Sequence, residues 1–215
     1  MKQTNNLIAI ALAVVIAVFC VAVFAYTKSK NTVSEENYSL LIREHSPVIG
    51  NKDAKVTVVE FFDPGCGTCV YFGPFVKDLP NKYDGKVKVV YRYLPFHNGS
   101  DFMLALVEAA RDQGKFEEAL SNVFEQYNRW FVNNSANAFL AWGVLQQSSV
   151  DVNMAQAYIN ANQANLTAMF QQDIKDATDL GITGTPTFYI NGQKLTKLSP
   201  EDLYKAVEDE IKKVY

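Results

Sequence analysis

Two cysteines three positions apart, in the run Cys66-Gly67-Thr68-Cys69, are the residues in this sequence best placed to do chemistry. If a helix begins there, two intervening residues let the sulfurs bond across its first turn. The unpaired N–H groups and the dipole of that turn favour negative charge, so the Cys66 thiol should ionise below the ordinary value of about 8.5. Cys66 is then the nucleophile and Cys69 the resolving thiol, and thiol–disulfide exchange passes through a mixed disulfide at Cys66. Taken alone, the same spacing would also serve half of a metal site or a structural bridge. The third cysteine, Cys20, lies inside an apolar run, and the only histidines, His45 and His97, are not spaced as a second ligand pair for tetrahedral zinc. No metal and no bound cofactor are expected, the redox group being the Cys66–Cys69 disulfide itself. His45 and His97 read as ordinary surface or core histidines.

The elements around the pair can be read from pattern. Lys55–Phe62, KVTVVEFF, is β-branched and aromatic and is bounded by Asp53 and by Asp63-Pro64-Gly65, as a buried strand should be. Residues from Cys66 to Leu79 suit a helix kinked at Pro74. Lys86–Leu94 reads as a second strand. Residues 100–180 carry helical spacing, as in Phe116, Ala119, Leu120, Val123, Phe124 and Tyr127. Trp130, Phe131 and Trp142 are expected in the core of this block, the other reading being that part of them lines a substrate groove. Thr187–Ile190, the turn Asn191-Gly192 and Gln193–Lys197 read as a hairpin, followed by a helix with Ser199 as N-cap and Pro200 at its first position. A strand before the cysteines, a helix after them and no further ligand pair favour redox chemistry.

The stretch Glu60-Phe61-Phe62-Asp63-Pro64-Gly65-Cys66-Gly67-Thr68-Cys69, the helix Pro74, and Gly184-Thr185-Pro186-Thr187-Phe188 before a strand together resemble the DsbA-like branch of the thioredoxin superfamily. The resemblance covers residues 46–215. It implies an α/β thioredoxin-like fold with a helical insertion at about 100–180. It also implies a cis peptide at Pro186 lying against the cysteines, with the backbone of Thr185 pairing with an extended substrate chain. Glu60 matches a buried acid that such enzymes place beneath the cysteines, where it assists proton transfer at Cys69; the other reading is a strand-edge carboxylate in solvent. The dipeptide Gly67-Thr68 departs from the histidine that strongly oxidising members carry between their cysteines, which weakens the case for strong oxidase power, although the Thr68 hydroxyl offers a hydrogen bond to Cys66. The expected activity is formation or rearrangement of disulfides in unfolded or partly folded thiol-containing proteins, recharged by a membrane redox partner. The alternatives are a thiol reductase for cytochrome or copper-centre assembly and a copper-binding module.

The rest of the chain sets location. Residues Leu7–Tyr26 are twenty consecutive uncharged, apolar or aromatic residues, spanning roughly 30 Å as a helix, one bilayer core. They follow a tail at 1–6 and read as a transmembrane anchor or uncleaved signal; Val23 and Ala25 would also suit cleavage of a secretory signal. Phe19 before Cys20 departs from a lipid-attachment site. Lys2 on one side and Lys28 and Lys30 on the other leave orientation undecided by charge. The chemistry places the C-terminal domain on the periplasmic or extracytoplasmic side of a bacterial cytoplasmic membrane, or free in the periplasm after cleavage. Residues 27–45 read as a polar tether. A net charge of -3 gives no basic surface for nucleic acid, and the Asn-x-Ser/Thr matches at Asn37, Asn98, Asn133 and Asn165 are expected by chance.

Overall fold

The computed structural model describes residues 12–23, 25–26, 32–34 and 37–215. Val48–Gly50 forms β1 and Val56–Phe62 forms β2, after which helix α1 runs from Gly67 to Lys82 and Val87–Tyr93 returns as β3. Helices α2 (Ser100–Asp112), α3 (Phe116–Glu125) and the single turn α4 (Tyr127–Trp130) follow. A small hairpin, β4 (Phe131–Val132) and β5 (Ser135–Ala136), separates them from α5 (Ala138–Leu145) and the long α6 (Val152–Asp179). The chain closes with β6 (Thr187–Ile190), β7 (Gln193–Lys194) and α7 (Pro200–Val214).

Five strands make one sheet in the order β1-β3-β2-β6-β7. β2 lies at its centre, parallel to β3 and antiparallel to β6. All seven β2 residues are buried, which explains why its sequence shows no polar–apolar alternation: both faces are covered, with Thr57 and Glu60 buried among the apolar residues. Val56, Val58 and Phe62 face a core shared with α1, α2, α3 and α7. Val59 and Phe61 face a second core with Leu41, Ala177 and Ile182. Each such side chain contributes roughly 1.5–3 kcal/mol by leaving water.

Expected elements recur with different ends. Helix α1 continues through both Pro74 and Pro80 to Lys82. The Asn191-Gly192 turn has positive φ at both residues (46° and 81°), as the hairpin requires, but β7 is only two residues long. Ser199 caps α7, its Oγ accepting from Asp202 N at 3.1 Å. The expected all-helical block is interrupted by β4 and β5, because Asn133 and Asn134 both take positive φ (51° and 62°) and turn the chain back. Trp130 is fully buried there and donates from Nε1 to the Val123 carbonyl at 2.7 Å.

The segment read as a free tether is instead fixed over much of its length. Val33 N donates to Gly192 O at 2.9 Å, and Leu41 is fully buried against the sheet. A buried ionic network locks the following turn. Arg92, wholly inaccessible, reaches Asp173, Asp176 and the Leu40 carbonyl. Arg43 grips Asp176 with two bonds of 2.6 and 2.7 Å, and His45 Nε2 meets Asp173 Oδ1 at 2.6 Å. Such a network forms only when residues far apart in sequence meet, so it leaves no local pattern. The apolar span Leu7–Tyr26 lies partly outside the described residues; 12–23 and 25–26 are helical and exposed. No helix among the described residues is long and apolar enough to cross a membrane.

Candidate active site

Cys66 is the N-cap of α1, with extended backbone (φ −88°, ψ 115°), and Gly67 opens the helix. Its thiol is part-buried, whereas Cys69, one turn in, is wholly inaccessible; both are free thiols. The loop before β6 closes over them. Thr185–Pro186 is a cis peptide, Pro186 is buried, and Cys66 Sγ lies 3.3 Å from the Thr185 carbonyl oxygen. The expected juxtaposition of residues 66, 69, 185 and 186 is therefore present.

The two sulfurs are electrostatically unequal. A hydrogen bond from the Cys69 side chain lowers the Cys66 thiol to about 5; burial opposes this, and the Thr185 side chain and the backbone N–H groups of Cys69 and Thr68 assist it. Burial raises Cys69 well above an ordinary thiol, helped by its bond to Cys66 and by the charges of Glu60 and Cys66. Thr68 is exposed, and the bond it offers to Cys66 comes from its backbone N–H. Glu60 is no strand-edge residue: it sits on the central strand between Tyr91 and Phe188 and is fully buried. Among the described residues neither carboxylate oxygen has a hydrogen-bond partner. Burial, and secondarily the Cys66 charge, push Glu60 up to about 8. Alternation along β2 puts it on the face of Val58 and Phe62, the face that packs against Cys69.

A second set of contacts fixes the turn leading into the pair. The Asp63 carboxylate, inaccessible to solvent, accepts four bonds. Gly65 N donates to Oδ1 at 2.8 Å; Phe96 N and His97 N, each at 2.9 Å, and His97 Nδ1 at 2.6 Å donate to Oδ2. On the other side Tyr127 Oη donates to Gly65 O at 3.0 Å, its ring stacked on Phe131, which meets His97 edge to face. A side chain at Gly65 would collide with this wall, since a Cβ there would lie 2.6 Å from Ser100 Oγ and 2.7 Å from His97 Cβ. Among the described residues, no group of three or more His, Cys, Asp or Glu is placed to hold a metal ion.

The profile of the family described as Thioredoxin matches residues 43–209. The chain belongs to the thioredoxin family. Among solved structures, this thioredoxin-family chain is similar to a thioredoxin-like oxidoreductase from Silicibacter pomeroyi DSS-3, with a TM-score of 0.69 and 29% identity over 84% of this chain and 99% of that one. It is similar to alpha-DsbA2, a thiol-disulfide exchange protein from Wolbachia pipientis, with a TM-score of 0.71 and 22% identity over 88% and 98% of the two chains. A Rickettsia prowazekii protein whose name carries the words protein-disulfide oxidoreductase is 24% identical over 193 residues, 86% of this chain and 70% of its own. The fold is thus the DsbA-like form of the thioredoxin fold with its helical insertion, and the family member is a disulfide oxidoreductase.

Sequence reasoning passed over three residues beside the pair in this thioredoxin-family protein. Asp63 was legible only as a strand end, although Asp followed two residues later by a free N–H is an Asx-turn signal. His97 was set aside as an ordinary histidine, and nothing in its surroundings in the sequence announces its bond to Asp63. Tyr127 was counted with an apolar helix face, where its hydroxyl carries no signal.

Proposed function

We propose that Cys66 and Cys69 form the redox pair of this oxidoreductase, and that it donates or rearranges disulfides in partly folded proteins outside the cytoplasm. The observation that carries this reading is the asymmetry of the pair: a part-exposed Cys66 favoured as thiolate, backed by an inaccessible Cys69 held protonated. Stabilising the thiolate stabilises the reduced form, so the couple becomes a better oxidant. Hydrogen bonds to Cys66 take the place of the cation that the Gly67-Thr68 dipeptide lacks.

In the oxidising direction a substrate thiolate attacks Cys66 Sγ of the disulfide. The Cys66–Cys69 bond breaks, its electron pair leaves on Cys69, and a mixed disulfide stands at Cys66. Cys69 takes a proton, for which Glu60 is the nearby buried donor. A second substrate thiolate then attacks the substrate sulfur of the mixed disulfide, and Cys66 departs as a stable thiolate. In reverse, loss of the Cys66 charge in the mixed disulfide removes one cause of the raised Glu60 value. Glu60 then ionises more readily, so that a carboxylate is present to accept the proton at the step where Cys69 must lose it. Thr185 and Pro186 hold the substrate chain, an extended segment pairing with the Thr185 backbone beside Cys66, whose Sγ lies 3.3 Å from the Thr185 carbonyl oxygen.

The location proposed is the extracytoplasmic side of a bacterial membrane, with Leu7–Tyr26 as anchor and a membrane redox partner to reoxidise the pair; the uncharged apolar run supports the first. The test is oxidation of a reduced dithiol peptide by the oxidised protein. One disulfide should be delivered per protein, with none from Cys66→Ser, while the Cys66 thiolate of Cys69→Ser, given the oxidised peptide instead, attacks its disulfide and leaves a mixed disulfide at Cys66 that no resolving thiol displaces. If Cys66→Ser matches the wild type, the reading fails.

A further inference from the structure

We infer that Asp63 is a positioning residue for the Cys66 thiolate, with His97 as the latch that completes its hold. The inference rests on the redox reading of the pair. It concerns residues that touch neither substrate nor sulfur through their side chains, and so act through the backbone.

Beside the Cys69 side chain, which gives most, and Thr185, Cys66 draws support from N–H groups of the first turn of α1, those of Cys69 and Thr68. Their aim depends on where the preceding turn enters the helix. That turn is held at three points: the Asp63 carboxylate takes Gly65 N, the Asp63 carbonyl takes Cys66 N at 3.0 Å, and Tyr127 holds Gly65 O. The same carboxylate accepts three bonds from Phe96 and His97, which lie just beyond the end of β3. β3 is parallel to β2, with Phe62 paired to Tyr93, so Asp63 ties the ends of two neighbouring strands to the start of the catalytic helix. Buried with four donors, the carboxylate cannot move without leaving some of them unpaired. His97 contributes the shortest of the four bonds and is the only one of these donors on a side chain; the other three are backbone N–H groups. Its ring bears on Phe131, hence on Tyr127 and back on Gly65. The contacts close a ring around the turn.

The competing account is that Asp63 acts by charge or only as a structural prop, and the sign of one measurement separates these. Removing a negative charge near the pair would by itself favour the thiolate and lower the Cys66 titration midpoint. Loosening the turn would misalign the N–H donors and raise it. The experiment is thiolate absorbance against pH on the reduced full-length wild type, Asp63→Asn, His97→Phe and His97→Asn, with the melting temperature of each oxidised form as control. Asn at 63 presents an amide N–H₂ where Oδ2 now accepts three donors. Asn at 97 puts an amide N–H near the position of Nδ1.

Asp63→Asn should raise the midpoint by about one pH unit, a tenfold loss of thiolate below it. His97→Phe should lose roughly threefold, and His97→Asn should recover most of that. If Asp63→Asn does not fold, the two His97 variants decide. A midpoint that falls in Asp63→Asn, or wild-type titration in both folded variants with only a lower melting temperature, overturns the inference. A wild type that titrates as an ordinary thiol instead overturns the redox reading on which it stands.

Discussion

The reduction potential of the Cys66–Cys69 couple should depend on pH with a change of slope that the geometry fixes. Reduction takes two electrons and as many protons as the two sulfurs then hold. Below the Cys66 value of about 5 both sulfurs bind protons, and the potential should fall by about 59 mV per pH unit, twice the 29.6 mV that one proton per two electrons gives. Above it Cys66 stays ionised while Cys69, raised well above an ordinary thiol, still takes its proton, so the slope halves to about 30 mV. Across two pH units from 5 to 7 the difference accumulates to about 60 mV of extra oxidising power over a pair of ordinary thiols. Solvent reaches the part-exposed Cys66 and weakens the effect. Losing half of the shift from 9.0 would move the break to about pH 7 and leave its sign unchanged. Glu60 adds a second feature. Because the Cys66 charge helps to raise it to about 8, reduction should draw a further proton near that pH and steepen the slope again, a feature absent from Glu60→Gln. Equilibration with glutathione buffers from about pH 4 to 9, followed by acid quench and alkylation, reads all three segments. A single straight line of about 59 mV per pH unit throughout would refute the reasoning.

Other expectations follow from the same contacts. Between about pH 4.5 and 8 the folded reduced chain keeps a proton on Glu60 that the unfolded chain has released, so stability should fall as pH rises through that window, by up to roughly 5 kcal/mol. Glu60→Gln should flatten that fall in denaturant titrations, and an equally steep fall in the variant would contradict the assignment. Arg92→Leu removes the buried cation shared by Asp173 and Asp176 and leaves Arg43 and His45, both partly exposed, as their ion-pair partners among the described residues. It should cost about 3–5 kcal/mol, and a denaturation midpoint equal to wild type would show the network to be dispensable. Gly65→Ala drives a Cβ into Ser100 and His97, so it should lose about 1–3 kcal/mol and alkylate more slowly at Cys66; unchanged melting and alkylation would show that the turn can yield.

Much of the frame was legible because its signals are local. β2 and β3 are runs of β-branched and aromatic residues, the last hairpin announces itself by Asn191-Gly192, and Ser199-Pro200 marks the start of α7. What escaped was set by contacts distant in sequence or by very short elements. β1 is three residues on a sheet edge, too few to show a period. The β4–β5 hairpin hides in apolar surroundings that suit a helix, and only Asn133-Asn134 hints at the turn. Residues 37–45 look like linker because their partners, Arg92, Asp173 and Asp176, lie far along the chain. At the site, the cysteine pair and the Thr185–Pro186 loop were visible as motifs. The hold of Asp63, His97 and Tyr127 on the turn before Cys66 was not, since a hydrogen bond between residues 34 or 62 apart has no periodicity to betray it.

Selective alkylation tests the central asymmetry most directly. The fully reduced protein, treated near pH 6 with one equivalent of iodoacetamide and mapped by mass spectrometry, should carry the label on Cys66 alone. Label shared equally between Cys66 and Cys69, or found first on Cys69, would contradict the account.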